Sequence, residues 1–340
     1  MKIFSTLVLA IVGLQMAAQP SLTDQKAGMT GSLRGLDVVS KKVVWVSGTK
    51  GEFSVTRDGG KIWFHDTVAG ATKLDFRDVH GFSADVALLM SAGAGEASAV
   101  YRTENGGKTW TLTYQNKDPK AFFDGMDFFD NNHGLMIGDP VDEKPYLMET
   151  FDGGLSWDRK KPLKIPDLKA GEYAFAASGT SLDANPGGNC YIATGGSVAR
   201  IFRSVDYGLN WGLTPIGVLQ GDPAAGAFSV AQGPDRNVAA AGGHYQKMTV
   251  AGSNIVLSGD NGATWSIPQG AAEVPFMECI RWIDKNTLVA CGPPGIWLST
   301  DAGKTWKEIS KEGFHTLDVV TGKTTVWLAG GKGRVVTLTL

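Results

Sequence analysis

Short apolar segments alternate with polar turns along the chain, which has 340 residues. In the first complete unit the four apolar segments are 36–40, 43–47, 52–56 and 62–66. Polar turns at 40–42 and 49–51 separate the first three of them. Segments of about five residues bounded by such turns are typical of β-strands, because an amphipathic helix needs a longer run. The pattern therefore predicts four consecutive strands per unit, joined as antiparallel hairpins.

An eight-residue pattern, Ser/Thr-x-Asp-x-Gly-x-x-Trp, occurs six times. The copies span residues 56–63, 103–110, 150–157, 204–211, 258–265 and 299–306, and the second has Asn in place of Asp. The tryptophans that end successive copies are 47, 47, 54, 54 and 41 residues apart. A period in this range is typical of β-propellers, in which each repeat forms one blade.

Each copy falls between the predicted third and fourth strands of its unit, so we expect it to form the hairpin that joins them. Its acidic or amide side chain can accept backbone N–H bonds within the turn, and its glycine permits a left-handed backbone. Its tryptophan can pack between neighbouring sheets. We therefore predict a structural role, without catalytic chemistry, for Asp58, Asn105, Asp152, Asp206, Asp260 and Asp301.

The C-terminal region supplies a seventh unit that lacks a fourth strand. Residues 314–320 and 325–330 match 33–39 and 43–48, and no octapeptide follows them. Residues 19–32 precede the first complete unit, so we predict that they provide the missing outer strand and close the ring. The expected fold is all-β: a single seven-bladed β-propeller of four-stranded antiparallel blades over residues 19–340.

The repeats also carry a family resemblance. The octapeptides resemble the Asp-box, or BNR repeat, of sialidases, sortilin-type receptors and some endoglucanases. Residues 126–138, followed by 150–154, resemble the photosystem II assembly/stability-factor propellers and their exported bacterial relatives, which are often labelled "oxidoreductase". The resemblance implies a seven-bladed propeller. It does not select a function, because unrelated chemistries share this fold.

The N-terminus has the layout of an export signal. Lys2 precedes an apolar run at 3–14, and the small residues Ala17 and Ala18 follow it. We expect residues 1–18 to be a signal peptide and the protein to be periplasmic or extracellular. The run is too short to cross a bilayer, and no later segment approaches 18 apolar residues, so no membrane span is expected.

Composition agrees with strands and argues against nucleic-acid binding. Glycine accounts for 45 residues and tryptophan for 10, as expected for strands joined by tight turns. The 32 basic and 34 acidic residues give a net charge of −2, which provides no field to attract DNA or RNA. We expect a monomer that binds a protein or peptide, with a glycan as the alternative.

The best place for a ligand is the channel mouth on the face opposite the octapeptides, where loops of all blades converge. Aligning the first strands makes Met277 equivalent to Arg34 and places Glu278 one position later. The predicted mouth ring is Arg34, Arg77, Asp78, Asp124, Glu278 and His315. It suits either a polar or anionic partner group or a self-neutralising set of paired charges. Nearby loops add Asp139, Asp142, Glu143, His244, Tyr245, Lys332 and Arg334.

Enzyme motifs are weak in this chain. The Arg-Ile-Pro motif expected before the first Asp-box of a sialidase is missing, and residues 93–98 match only part of a dinucleotide fingerprint. Asp78, Asp124, Asp139 and Glu278 offer carboxylates for a glycosidase, but any acidic mouth would. We therefore favour a non-catalytic binding protein without cofactor or metal. A glycan-active hydrolase and an undefined oxidoreductase stay as alternatives.

Three cysteines complete the candidates. Cys279 and Cys291 lie on consecutive predicted strands, equidistant from residue 285, so they should face each other. An exported protein can oxidise such a pair, so we predict a cross-strand disulfide, with two buried free thiols as the alternative. Cys190 is left over and should be buried on a strand.

Overall fold

A computed structural model describes residues 19–320 and 323–340. The predicted signal peptide, residues 1–18, lies outside the described residues. In the described part, 29 strands form seven antiparallel sheets, which confirms the seven-bladed β-propeller. The helical content of this part is limited to short 3-10 turns at Thr49–Gly51, Gly95–Ala97, Pro234–Arg236 and Gly331–Gly333.

The first three blades follow the predicted order, with the innermost strand first. Blade one contains β2 (Leu33–Asp37), β3 (Val44–Gly48), β4 (Glu52–Thr56) and β5 (Trp63–Thr67). Blade two contains β6 (Phe76–Gly81), β7 (Ala87–Ser91), β8 (Ala99–Thr103) and β9 (Thr111–Gln115). Blade three contains β10 (Phe123–Phe128), β11 (Gly134–Val141), β12 (Lys144–Thr150) and β13 (Asp158–Arg159).

The remaining blades include one irregular sheet. Blade four contains β15 (Leu182–Ala184), β16 (Cys190–Ala193), β18 (Arg200–Ser204) and β19 (Gly212–Pro215). Blade five contains β20 (Ala225–Gln232), β21 (Val238–His244) and β22 (Ile255–Ser258), preceded in its sheet by β14 (Glu172–Tyr173) and β17 (Gly195–Gly196). Its expected fourth strand is reduced to one bridge between Leu257 and Ser266. Blade six contains β23 (Cys279–Trp282), β24 (Leu288–Gly292), β25 (Gly295–Ser299) and β26 (Lys307–Ser310).

The ring closes as the sequence predicts. Blade seven contains β27 (Thr316–Val319), β28 (Thr325–Ala329), β29 (Val335–Thr339) and β1 (Ser21–Gln25). β1 is its outer strand and pairs antiparallel with β29 over five residues. Beyond β1 the chain buries Ala27 and Met29 against blade one. The same stretch donates the backbone N–H groups of Thr30 and Gly31 to the Glu52 carboxylate, both at 2.9 Å.

The six octapeptides share one hydrogen-bond pattern. In the first, Asp58 Oδ1 accepts the backbone N–H of Ile62 and the hydroxyl of Thr56, both at 2.9 Å. The backbone of each octapeptide also donates to the turn between the first two strands of its own blade, as Gly59 does to Lys42. The hydrogen bonds that the Asp58 carboxylate accepts hold its pKa below its usual value, and the bond from the Ile62 N–H contributes most. The octapeptides therefore lie on the face where the first strands end, opposite the channel mouth.

Replacing Asp58 with Ala is expected to lower the unfolding temperature without changing binding at the mouth. The turn would lose its acceptor for the Ile62 N–H, whereas Asp58→Asn keeps one. Asn105 already performs this role in the second octapeptide, where its Oδ1 accepts the Thr109 N–H at 2.9 Å. Thermal unfolding of both variants tests the assignment. Equal unfolding temperatures for Asp58→Ala and Asp58→Asn would contradict it.

Aspartate side chains on the innermost strands link neighbouring blades through hydrogen bonds. At four boundaries an Asp accepts the backbone N–H of the next blade at 2.5 to 2.7 Å. The pairs are Asp37 with Gly81, Asp127 with Ala184, Asp183 with Gln232, and Asp318 with Val38. Because each bond joins two sheets, these carboxyls hold the ring together around the channel.

Candidate functional site

The channel mouth is built on β-bulges of the innermost strands. In blades one, two, three and five the register shifts by one residue at Arg34, Arg77, Asp124 and Phe228. A bulge leaves one extra residue outside the ladder and re-aims its side chain. All four side chains line one cavity of about 390 Å³.

The register of the first two strands of blade six differs from the predicted alignment. Cys279 pairs with Cys291, and the N–H of Glu278 also bonds to Cys291 O at 2.8 Å, so Glu278 holds the position of Arg34. Met277 is instead buried in the core between blades five and six. The predicted alignment of blade six was therefore wrong by one residue.

A segment of the chain itself crosses the mouth. Residues 174–179, here called the crossing segment, leave β14 and enter blade four. Arg34 Nη1 donates to Ala177 O at 2.6 Å, and Arg77 Nη1 donates to Ala176 O at 3.1 Å. Ser178 is bonded to blades six and seven, through Glu278 O at 2.9 Å and the Thr316 hydroxyl at 3.2 Å. The two arginines therefore hold backbone carbonyls of this chain.

Asp78 does not join the mouth ring. It follows the bulged Arg77, so its side chain points the other way and is absent from the residues that line the mouth cavity. Its carboxyl accepts the backbone N–H groups of Val79 and Met126, both at 2.8 Å, and burial raises its pKa well above the usual value. The crossing segment passes it at Gly179, where φ is +71° and a Cβ would overlap the Asp78 carboxylate.

A second cavity of about 270 Å³ lies below the crossing segment. Its wall includes Asp78 and the four carboxyls that link neighbouring blades, those of Asp37, Asp127, Asp183 and Asp318. Arg281 lies 3.7 Å from Asp318, and His80 lies 3.8 Å from Asp37 and 3.9 Å from Asp127. Burial lowers the pKa of His80 to about 4 and raises that of Asp127 to about 7. Asp78 therefore lines this cavity, whereas Asp124 lines the mouth cavity.

Most charges of the mouth are paired. Glu278 Oε2 lies 2.6 Å from His315 Nδ1 and 3.5 Å from Arg34 Nη1. Arg77 Nε donates to Asp75 at 2.7 Å. This part of the ring matches the self-neutralising alternative rather than a free anion site.

Asp124 and Asp139 are the exceptions. Asp124 is 2% exposed, and its Oδ2 has no hydrogen-bond partner among residues 19–320 and 323–340. Burial raises the pKa of Asp124 well above its usual value, and the charge of Asp139 raises it further. Burial raises the pKa of Asp139 to about 6. Both carboxyls line the mouth cavity.

Sequence reasoning named Tyr245 but missed the other aromatic residues that form a wall of the cavity. Phe175 of the crossing segment stacks on Phe228 with ring centroids 3.7 Å apart and planes 10° apart. Tyr173 packs edge-on against Phe175, and Tyr245 packs edge-on against Phe228. Phe228 occupies the bulge position of blade five. Matching 238–242 to 44–48 would have placed it there from the sequence.

Three of the predicted loop residues, His244, Asp142 and Arg334, have local partners. His244 Nδ1 accepts the N–H of Gln246 at 3.2 Å, so His244 caps its own loop, while Tyr245 reaches the mouth cavity. Asp142 pairs with Lys120 at 2.6 Å. Arg334 pairs with Asp24 at 2.9 Å on the closing strand. Glu143 has a positive φ in the turn after β11.

The cysteines face each other in register but are free thiols. Cys279 and Cys291 pair directly between β23 and β24, as predicted, and both side chains are buried. No disulfide joins them in the structure, where Cys279 Sγ lies 3.5 Å from Leu317 O of blade seven. The bridge stays a prediction for the oxidised chain. Cys190 is buried on β16, as expected.

Neither metal ligation nor membrane spanning finds support in the described part of the chain. Within 19–320 and 323–340, no group of three or more His, Cys, Asp or Glu side chains is arranged to hold a metal ion. The same residues include no helix long and apolar enough to cross a bilayer.

Together these features define a seven-bladed β-propeller whose mouth carries an acidic and aromatic cavity above a crossing segment. No family model and no curated protein matches the chain. Among solved structures it is similar to "YCF48 bound to D1 peptide", with a TM-score of 0.67 and 16% identity over 99% of this chain and 100% of that one.

Two further structures have the same shape. YCF48 from Cyanidioschyzon merolae matches with a TM-score of 0.69 and 15% identity over 94% of this chain and 98% of that one. The Pan2 WD40 domain of Neurospora crassa matches with a TM-score of 0.62 and 12% identity over 91% and 89%. The TM-scores show a shared propeller fold.

Proposed function

We propose that this protein is an exported, non-catalytic propeller that binds a peptide segment of a partner protein at its channel mouth, in the manner of an assembly factor. The cavity above the crossing segment carries this proposal. It combines an aromatic wall with a buried carboxyl that has no hydrogen-bond partner within the described residues. Ligand sites typically pair apolar walls with a few convergent polar groups.

The structural comparison supports the same class of ligand. The YCF48 structure that matches 99% of this chain is bound to a D1 peptide. Residues 174–177 of the crossing segment also line the cavity. Export rests on the N-terminal sequence alone, and it would place the partner in the periplasm or outside the cell.

Replacing Tyr245 with Ala is expected to weaken capture of the partner about tenfold, which is about 1.4 kcal/mol. Tyr245 lines the cavity and is 39% exposed, so its loss removes contact area without opening the core. The measurement is recovery of proteins from a cell-envelope extract on the immobilised full chain, followed by affinity for the recovered protein.

Tyr207→Ala is the matched control. Tyr207 is 40% exposed and belongs to an octapeptide on the opposite face. Equal loss with both variants, or undiminished capture with Tyr245→Ala, would contradict binding at the mouth. Hydrolysis of glycans by the wild-type protein, lost on replacing Asp124, would instead establish the hydrolase alternative.

A further inference from the structure

The charge balance of the mouth favours a cationic ligand. Arg34 and Arg77 face four carboxyls in or beside the cavity: Glu278, Asp75, Asp124 and Asp139. The ion pairs with Glu278 and Asp75 account for both arginines. Two carboxyls remain without a paired cation, although Arg77 lies close enough to Asp124 to lower its pKa in part. A ligand carrying positive charge would pair with these two carboxyls and favour their ionised forms.

Asp124 has a carboxylate oxygen beside the cavity that has no hydrogen-bond partner in the described part of the chain. A buried polar atom without a hydrogen bond is costly, so such atoms in native structures call for an explanation. Asp124 Oδ2 is such an atom among the described residues, and its carboxyl lines the cavity. An external N–H donor would satisfy it, and a charged donor would form the stronger bond.

The walls suit a side chain rather than a free ion. Tyr173 and Tyr245 line the cavity beside the two carboxyls, together with Phe228 and Met248. Aromatic rings attract ammonium and guanidinium groups, and apolar walls accommodate the methylene stem that carries them. Anionic ligands fit poorly, because both arginines already donate to carbonyls of the crossing segment.

We propose that the mouth cavity receives a lysine or arginine side chain of the bound peptide, whose N–H group donates to Asp124 with Asp139 as the second carboxylate. This inference rests on the proposed peptide-binding function and adds the identity of the anchoring residue. It makes Asp124 and Asp139 determinants of specificity.

The test uses random twelve-residue peptides displayed on phage and selected on the immobilised full chain. Selected peptides should be enriched in Lys or Arg. Asp124→Asn and Asp139→Asn should each weaken the best peptide at least tenfold, as should replacing its basic residue with norleucine. Asp142→Asn is the matched control, because Asp142 lies just beyond β11 and already pairs with Lys120. Asp139→Asn keeps the test valid if Asp124→Asn unfolds.

The outcomes separate the two proposals. Peptides that depend on Tyr245 but lack basic residues, or that ignore both Asn variants, would overturn the cation assignment and leave peptide binding intact. Failure to select any peptide that depends on Tyr245 would overturn both. Spermidine alone binding as tightly as the best peptide would show that the cavity takes free polyamines, which overturns the assignment to a peptide side chain.

Discussion

Deleting residues 19–32 should lower the unfolding temperature more than any single substitution at the surface. The deletion removes the five-residue ladder between β1 and β29, and it exposes the surfaces that Ala27 and Met29 cover. It also takes away the N–H groups that Glu52 accepts. The combined loss is on the order of 5 kcal/mol, a large part of the stability of a typical domain.

Adding the deleted segment in trans provides the control. A synthetic peptide with the sequence of residues 19–32 should restore part of the lost stability in a concentration-dependent way, because the edge of β29 is then paired again. A scrambled peptide of the same composition should not. An unchanged unfolding temperature after the deletion would show that β1 does not close the ring.

Glu172→Ala should cost about 3–5 kcal/mol, because it leaves Arg200 buried without its partner. Glu172 is fully buried on β14, immediately before the crossing segment. Its carboxylate accepts bonds from the Arg200 guanidinium, the Thr194 hydroxyl at 2.7 Å and the Lys169 N–H at 2.9 Å. Chemical denaturation measures the loss, and increased proteolysis near 174–179 would report a released crossing segment.

Two comparisons sharpen this prediction. Replacing both Glu172 and Arg200 with Met should recover much of the stability, since apolar pairs often substitute for buried ion pairs. Glu312→Ala breaks a surface pair with Arg334 and should cost less than about 1 kcal/mol. Similar losses for Glu172→Ala and Glu312→Ala would rule out an anchoring role for the buried pair.

The fold was predictable because its determinants are local. Each octapeptide places its turn acceptor, such as Asp58, within four residues of the N–H it receives. The first strand of blade one was less accurate: the expected segment was 36–40, whereas β2 spans Leu33–Asp37. The apolar run continues through Val38 and Val39, but pairing with β3 stops at Asp37, so the predicted strand ends too late. The predicted strand also begins too late, because it leaves out the bulged start of β2.

The mouth was only partly predictable because its key contacts are long-range. Arg34 and Arg77 were identified, but their acceptors are carbonyls of residues about 100 or more positions away, and backbone acceptors have no sequence signature. Asp78 was assigned to the wrong cavity because a bulge reverses which side chain faces the mouth. Asp124 was placed in the mouth ring from the sequence, but its unpartnered oxygen becomes visible only in the folded structure, where the carboxyl is buried.

The bulges have a consequence for how such a protein can diversify. A residue outside the ladder is not part of the alternation that fills the layers between blades, so changing Arg34, Asp124 or Glu278 need not repack those layers. The residues at the bulge positions can therefore change, and with them the ligand, while the hydrophobic residues between the blades stay the same. The residues that determine ligand specificity are then different from those that determine folding. A few substitutions at the channel mouth can therefore change which ligand a propeller binds.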